Sequence, residues 1–176
     1  MVGGDPYEAW AAGAKETYRM QKVPMKQKAD VTIVSAGGYP KDTNLYQGTK
    51  CYTSSDMATK KGGIIITMIE ADDIMEPPAY LDSFKYDNLE DMEKALRKCF
   101  TIPFFVAFEN LITATTHTIY FVTKPENFDI IRKTPQIPSP PYRKPGTGKE
   151  TTEKEGRTDY TINIIPHGSA VVPFLE

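Results

Sequence analysis

Three side chains between positions 46 and 50 could together bind a small anion. Tyr46, Gln47 and Lys50 provide a phenol, an amide and an ammonium group. Residues three or four positions apart lie on one side of an α-helix, so a helix here would bring Lys50 next to Tyr46 and Gln47. A positive charge beside two neutral hydrogen-bonding groups suits a carboxylate or a phosphate. The alternative is a solvated Lys50 on a helix face and a Tyr46 that serves only in packing.

The segment before this cluster predicts a turn from a strand into a helix. Residues 31–34 are β-branched and uncharged, which is typical of a buried strand. Gly37 and Gly38 permit positive φ, and Asp42 or Thr43 can cap the following helix. A helix N-terminus at the carboxyl end of a strand is a natural anion site. We expect the loop to supply the rim of the site through Gly37, Gly38, Lys41 and Asp42.

The rest of the chain is predicted to alternate between helices and strands. Asp5 can cap a first helix that ends near Gln21, and residues 22–30 then form a connector. The helix of the cluster is expected to run to about Lys60, where the glycine pair at residues 62–63 stops it. Gly48 lies inside this helix, which costs about 1 kcal/mol relative to Ala unless close packing requires a glycine.

Later elements follow from hydrophobic periodicity. Helices are predicted from a cap at Asn88, over residues 102–113 and in a short segment after Pro125. Strands are predicted at residues 63–71, 117–123 and 160–165, the last of which precedes an apolar tail. This order indicates an α/β fold with three layers, a mostly parallel sheet with helices on both faces. Ligands bind beyond the carboxyl ends of such strands, so we expect one rim to be shared by the loops at 37–50, 70–73 and 167–169.

The length of 176 residues suits a single domain with appendages. Residues 1–133 are expected to form the α/β body. Residues 134–159 are rich in proline, glycine and charge, which predicts an exposed arm or loop. Residues 160–176 are expected to complete the domain with a final strand and tail, or to return to another domain that this chain lacks.

Composition argues against several classes of function. A formal net charge of -2 gives little electrostatic support for binding nucleic acid or an anionic membrane. The apolar runs fall far short of the roughly 20 residues that span a bilayer, and the first residues do not resemble a secretion signal. Cys51 and Cys99 fit reduced thiols better than a disulfide framework. These features favour a cytoplasmic protein.

The remaining titratable residues give weaker signals. Four acidic side chains lie between positions 70 and 76, but their irregular spacing favours a solvated turn, and no metal site is predicted. His167 could carry a proton or bind a ligand, although a turn residue bonded to backbone is the favoured interpretation. His117 is interpreted as structural. Lys50 could lower the pKa of Cys51, but sequence neighbours on a helix point apart, so we expect a structural thiol.

The segment around the predicted anion site closely resembles a known family signature. Residues 35–42, followed by residues 44–47 and Lys50, are similar to the signature of the C-terminal domain of the nickel-pincer lactate racemase family. Three further segments agree in order and spacing, at residues 4–6, 62–65 and 166–170. The resemblance covers most of the chain but only the later of that family's two domains.

The resemblance implies a function in the racemisation or epimerisation of 2-hydroxy acids. It implies reversible hydride transfer to a nickel-pincer pyridinium mononucleotide, with catalytic histidines and cofactor held by an N-terminal domain that is the expected partner. This chain would then bind no cofactor and supply no catalytic residue alone. Tyr46, Gln47 and Lys50 would help to hold the substrate, with Lys50 meeting its carboxylate, and His167 would join the rim.

Two other functions remain open at this point. The chain could be a non-enzymatic module that binds a carboxylate or a phosphate at the same rim. It could also be a regulatory or assembly domain that uses its proline-rich arm as a docking segment.

Overall fold

Strands and helices alternate along the residues that the computed structural model describes, 3–86, 88–141 and 159–176. The strands are β1 (Lys22–Met25), β2 (Ala29–Ser35), β3 (Thr59–Met68), β4 (Thr118–Val122), β5 (Ile137–Ser139), β6 (Ile162–Ile165) and β7 (Val172–Leu175). The α-helices are α1 (Pro6–Gln21), α2 (Leu45–Gly48), α3 (Tyr52–Ala58), α4 (Pro78–Leu81), α5 (Leu89–Lys98), α6 (Ile102–Thr116) and α7 (Phe128–Ile131). Short 3₁₀ turns lie at Thr49–Cys51, Asp82–Lys85, Pro125–Asn127 and Gly168–Ala170.

A five-stranded parallel sheet forms the centre of the fold. Its strand order is β5-β4-β3-β2-β6, and each neighbouring pair is parallel. A separate two-stranded parallel sheet joins β1 to β7. The predicted α/β class with a mostly parallel sheet is therefore confirmed. Parallel pairing also brings the carboxyl ends of the five strands to one edge, where ligands bind in such sheets.

The two faces of the central sheet differ in burial. On one face the side chains of Val34, Ile65 and Phe121 are completely buried, and α3 and α6 pack against these strands. On the other face, Ile162 and Ile164 of the edge strand β6 are 48% and 69% exposed. The hydrophobic core therefore lies between the sheet and the layer formed by α3 and α6.

Several local predictions are confirmed because short-range interactions determine them. The Oδ1 atom of Asp5 accepts hydrogen bonds from the backbone N–H groups of Tyr7 and Glu8, and α1 ends at Gln21 as expected. Asn88 caps α5 through a hydrogen bond from the N–H of Asp91. The ambiguous apolar stretch after residue 101 is helical, as predicted.

The prediction for the glycine pair Gly62 and Gly63 is wrong. The helical stretch already ends at Ala58, and both glycines lie inside β3. Gly62 has a φ of 79°, and a Cβ atom on Gly63 would lie 2.7 Å from the carbonyl oxygen of Asp30. The pairing of β3 with β2 shifts register at this point. The glycines therefore permit an irregular close approach between two strands instead of stopping a helix.

Two segments assigned to a connector and a tail are also strands. Lys22 to Met25 form β1, which pairs with Val172 to Leu175 of β7. The prediction of residues 160–165 as the last strand is therefore wrong. The pairing joins segments from opposite ends of the chain, so no local pattern could identify it.

The first part of the predicted arm belongs to the sheet. Ile137–Ser139 forms the edge strand β5 beside β4, and Gln136 and Ser139 are buried. Pro138 is tolerated there because an edge strand needs fewer backbone donors. Residues 142–158, which carry the rest of that prediction, lie outside the described residues.

We predict that Gly48→Ala destabilises the fold, although Ala is the better helix former by about 1 kcal/mol. A Cβ atom at Gly48 would lie 2.6 Å from Cγ2 of the buried Ile69. Overpacking of this kind costs about 1–3 kcal/mol, which exceeds the gain in helix propensity. Urea unfolding followed by circular dichroism measures the change. Thr53→Ala, at an exposed position of α3, is the control and should not lower stability; a Gly48→Ala variant as stable as the parent would contradict the packing argument.

Candidate functional site

The three loops predicted to share a rim do lie together at the carboxyl edge of the sheet. The backbone N–H of Ala71 donates to the carbonyl oxygen of Asp42 at 2.9 Å, and the N–H of Asp73 donates to that of Thr43 at 2.9 Å. On the other side, a Cβ atom on Gly37 would lie 3.2 Å from Nδ1 of His167. The loops after β2, β3 and β6 therefore form one continuous surface.

The turn after β3 is fixed by side chains that follow β4. Thr123 Oγ1 donates a 2.9 Å hydrogen bond to the carbonyl oxygen of Glu70. Asn127 Nδ2 donates to the carbonyl oxygens of Glu70 and Ala71 at 3.1 and 3.0 Å. Ala71 is buried and has a φ of 53°, a conformation that is strained for a residue with a Cβ atom. No local pattern predicts this role for Asn127, because the carbonyl groups that it binds lie more than fifty residues away in the chain.

Asn44 caps α2, which carries Tyr46 and Gln47 of the predicted cluster, so the assignment of the cap to Asp42 or Thr43 is wrong. Asn44 Oδ1 accepts a 2.9 Å hydrogen bond from the N–H of Gln47. The carbonyl of Asp42 is bonded to the neighbouring loop, and the hydroxyl of Thr43 donates to the carbonyl of Pro40. Asn is a preferred cap, and its place directly before an apolar residue was a usable signal.

The structure brings Tyr46, Gln47 and Lys50 together as their spacing predicts. Lys50 Nζ donates a 2.7 Å hydrogen bond to Gln47 Oε1 and lies 4.6 Å from the centre of the Tyr46 ring. Tyr46 and Gln47 are half-buried, whereas Lys50 is exposed. An ammonium group has three donors, so Lys50 can bind Gln47 and a ligand carboxylate at the same time. The arrangement is suited to holding a small carboxylate at the rim.

The buried Tyr80, whose hydroxyl is hydrogen-bonded, packs against the cluster. The Tyr46 ring packs edge-on against Tyr80, with ring centres 6.3 Å apart. Asn110 Nδ2 donates a 2.7 Å hydrogen bond to the Tyr80 hydroxyl, and Thr49 Oγ1 lies 3.4 Å from the same oxygen. Burial raises the pKa of Tyr80 to about 12, so this phenol stays neutral. Sequence reasoning did not identify these residues, although a polar Asn110 within an apolar helix was a signal.

A groove between α3 and α6 lies next to the cluster. Its volume is about 260 Å³, and it is lined in part by Lys50, Thr53, Asp56, Val106, Glu109 and Asn110. Burial raises the pKa of the Glu109 carboxyl. The groove can accept a small polar molecule, and Lys50 connects it to the rim.

The other predicted rim residues have structural roles in the loop. Gly37 and Gly38 have φ values of 109° and 78°, which explains why glycine is needed at both positions. The N–H of Lys41 donates to the carbonyl of Gly38, and its side chain is exposed. Asp42 is buried, whereas His167 is exposed beside Gly37.

His117 lies away from this rim, at the start of β4. Its side chain is buried, with Nε2 2.9 Å from Asp56 Oδ1. The amino ends of parallel strands lie at the opposite edge of the sheet from the carboxyl ends. The two histidines of the chain therefore lie at opposite edges.

Cys51 is buried directly behind the cluster. Its Sγ atom lies 3.6 Å from Thr67 Oγ1, and the side chain has no exposed surface. Burial raises the pKa of the thiol to about 12, although Lys50 is its neighbour in sequence. A neutral buried thiol is a poor nucleophile, so Cys51 is structural.

We predict that iodoacetamide at about pH 8 alkylates Cys99 in the native protein and leaves Cys51 unmodified. Cys99 is exposed, whereas the thiol of Cys51 is buried and stays protonated at that pH. Intact-mass spectrometry before and after unfolding in guanidinium chloride counts the adducts. The Cys99→Ser variant should stay unmodified until it unfolds, and fast modification of two thiols in the native parent would refute the assignment.

Comparisons with known sequences identify relatives of this chain. A profile of the lactate racemase C-terminal domain matches residues 24–172. The chain is 30% identical over 149 residues to the lactate racemase of Thermoanaerobacterium thermosaccharolyticum, which corresponds to 82% of this chain and 34% of that protein. It is 36% identical over 90 residues to the lactate racemase of Lactiplantibacillus plantarum, or 51% of this chain and 20% of that protein. The chain thus spans about a third or less of the length of these curated relatives.

Solved structures agree with the sequence comparisons. The lactate racemase apoprotein from Thermoanaerobacterium thermosaccharolyticum matches with a TM-score of 0.75 and 25% identity, over 94% of this chain and 40% of that one. A crystal structure of a Thermotoga maritima protein matches with a TM-score of 0.57 and 16% identity, over 97% and 42%, and shows the fold alone. Since the family profile covers most of its length, the chain belongs to the lactate racemase C-terminal domain family.

Proposed function

We propose that this chain is the substrate-side domain of a racemase or epimerase that acts on 2-hydroxy acids. The observation that carries the proposal is the cluster of Tyr46, Gln47 and Lys50 at the sheet rim, held by a 2.7 Å hydrogen bond and a close ammonium–ring contact. Family membership supports the proposal. The coverage of only 34% of a lactate racemase supports a further domain as the partner.

Each member of the cluster has a separate task in this proposal. Lys50 pairs with the substrate carboxylate, a charge-assisted interaction that fixes one end of the molecule. Gln47 accepts a hydrogen bond from Lys50 and keeps its amide donors for the substrate. The Tyr46 ring lies 4.6 Å from the ammonium group, and its hydroxyl would be a further hydrogen-bonding group for the ligand. The resulting two-point or three-point contact would hold the α-carbon in a fixed orientation.

The chemistry itself is assigned to groups outside this chain. The proposed reaction needs a hydride acceptor, and a nickel-pincer nucleotide would supply that chemistry. Across residues 3–86, 88–141 and 159–176, no group of three or more His, Cys, Asp or Glu side chains is arranged to hold a metal. His117 is bonded to Asp56 at the far edge of the sheet. Because these side chains do not fit the cofactor, we propose that another domain holds it together with the catalytic histidines.

A cytoplasmic location is a further part of this proposal. The free thiols of Cys51 and Cys99 are consistent with a reducing compartment. No helix within the described residues has the length and apolar character that crossing a bilayer requires.

We predict that lactate binds measurably only when the proposed partner domain is present. The experiment compares the isolated chain with a chimera in which this chain replaces the matching third of the Thermoanaerobacterium lactate racemase. Calorimetric titration measures affinity, and chiral chromatography measures racemisation. Racemisation by the isolated chain would contradict the assignment of catalysis to another domain. Stronger binding of phosphate than of lactate to the isolated chain would instead favour a simple anion-binding module.

In that chimera we expect Lys50→Ala to weaken lactate binding at least tenfold, about 1.4 kcal/mol, because a charged hydrogen bond to the carboxylate is lost. Lys61→Ala removes the same charge from an exposed position near the amino end of β3 and should leave affinity unchanged. Gln47→Glu keeps the size of the side chain but places a negative charge beside Lys50, so it should also weaken binding. Equal affinities for the Lys50→Ala and Lys61→Ala variants would remove Lys50 from the site.

A further inference from the structure

The groove between α3 and α6 begins at the proposed carboxylate anchor and extends well beyond it. Lys50 lines the groove at the rim, whereas Asp56, which contacts His117 at the amino end of β4, lines the opposite end. Val106 and Thr113 of α6 both line it, and their separation along the helix corresponds to about 10 Å. Lactate carries only a methyl group beyond its α-carbon, so with its carboxylate at Lys50 it would leave most of the 260 Å³ groove unfilled.

Three buried polar side chains that line the groove each donate a hydrogen bond within the protein. The hydroxyl of Thr113 donates to the carbonyl oxygen of Glu109 at 3.1 Å, and the hydroxyl of Thr49 donates to a carbonyl oxygen of α2 at 2.7 Å. The amide nitrogen of Asn110 donates to a buried tyrosine hydroxyl at 2.7 Å. The side-chain oxygens of these three residues can still accept hydrogen bonds. The buried wall of the groove therefore presents mainly acceptors to a ligand.

Two carboxylates add to these acceptors. Asp56 Oδ1 lies 2.9 Å from Nε2 of His117, so Asp56 keeps the acceptor capacity of its other oxygen. Among the residues that the structure describes, the Glu109 carboxylate has neither a hydrogen bond nor an ion pair. Partial burial raises the pKa of this carboxyl, and hydrogen bonds from a ligand would stabilise its charged form.

The lining therefore discriminates between ligand tails by their donors and their charge. An apolar tail would displace water from the acceptors and leave them unpaired. A second carboxylate would meet Asp56 and Glu109, which carry charge of the same sign. A terminal ammonium group offers its donors at a single point, whereas the acceptors lie on successive turns of the two helices. A tail with a hydroxyl group on each carbon atom is uncharged and offers a donor at every step.

We propose that the substrate is a polyhydroxylated 2-hydroxy acid of about six carbon atoms, with its carboxylate at Lys50 and its tail in the groove between α3 and α6. This inference rests on the proposed function, which supplies the anchor at Lys50 and the reaction at the α-carbon. It assigns Glu109 and Asp56 to substrate specificity. Because the other stereocentres of such an acid would not react, the reaction would be an epimerisation at the α-carbon.

NMR titration of the full chain tests the groove independently of catalysis. Backbone amide signals are followed in proton–nitrogen correlation spectra during titration with gluconate, 2-hydroxyhexanoate, 2-hydroxyadipate and 6-amino-2-hydroxyhexanoate. These acids share one carbon chain and differ in the groups that the tail carries. We expect gluconate to shift the signals of Thr53, Asn110 and Thr113 with a Kd at least tenfold lower than that of the other three acids. Equal or tighter binding of another acid, or an absence of shifts along the groove, overturns the proposal.

Substitutions at Glu109 test its assignment to specificity. Glu109→Leu removes an acceptor and should weaken gluconate binding at least fivefold without weakening that of 2-hydroxyhexanoate. Glu109→Lys replaces an anion by a cation and should make 2-hydroxyadipate the tightest ligand of the four. Glu90→Lys makes the same change on α5, at a side chain that is 78% exposed and outside the groove, and should alter no Kd. The same spectra verify folding, and an identical ranking of the acids by both lysine variants would refute the assignment.

The substrate class and the proposed function can fail separately. Lys50→Ala should abolish the shifts caused by gluconate, and an unchanged Kd would refute the orientation with the carboxylate at Lys50. In the chimera, chromatography measures conversion of gluconate to its 2-epimer and of lactate to its enantiomer. Racemisation of lactate without a preference for gluconate would overturn the substrate class alone. A preference for gluconate in the groove, without conversion of either acid, would overturn the proposed function instead.

Discussion

The position of the candidate site depends on the backbone hydrogen bonds between the loops after β2 and β3. Ala71 and Asp73 donate to the carbonyl groups of Asp42 and Thr43, directly before the capped start of α2, which leads into the 3₁₀ turn that carries Lys50. Asn127 holds the donor loop from the other side through the carbonyls of Glu70 and Ala71. Without these bonds, the backbone N–H and C=O groups of the loops would need hydrogen bonds from water. Each bond therefore satisfies a polar backbone group and also holds the two loops at a fixed distance from each other. The side chains of the candidate site are thereby attached to three strands of the sheet.

Close packing then imposes a second constraint on the same region. Gly48 lies against Ile69, and the glycine after His167 lies against Val34 and the buried Cys51. Side chains larger than hydrogen at these glycines would push the helix away from the sheet. The short α2, the 3₁₀ turn Thr49–Cys51 and α3 therefore follow the sheet closely, although they do not form one regular helix.

The site is open on the side that faces away from the sheet. Lys50 is exposed, and its cation is held by one amide and one aromatic ring, so its remaining donors can meet a ligand. A racemase must also hold a hydrogen acceptor and a proton carrier near the α-carbon. In the described residues the buried His117 and the rim residue His167 lie at opposite edges of the sheet, which agrees with the proposal that another domain supplies the catalytic histidines.

Residue types and their spacing determined the parts of the protein that depend on near neighbours. The cap at Asp5, the helices α5 and α6, the parallel α/β class and the convergence of Tyr46, Gln47 and Lys50 all follow from contacts within a few residues or from the order of elements. Tertiary structure alone decided the pairing of β1 with β7, the strand through Gly62 and Gly63, and the role of Asn127. These features join residues that are dozens of positions apart. Their free energy comes from long-range pairing and packing, for which a local pattern of residue types carries no signal.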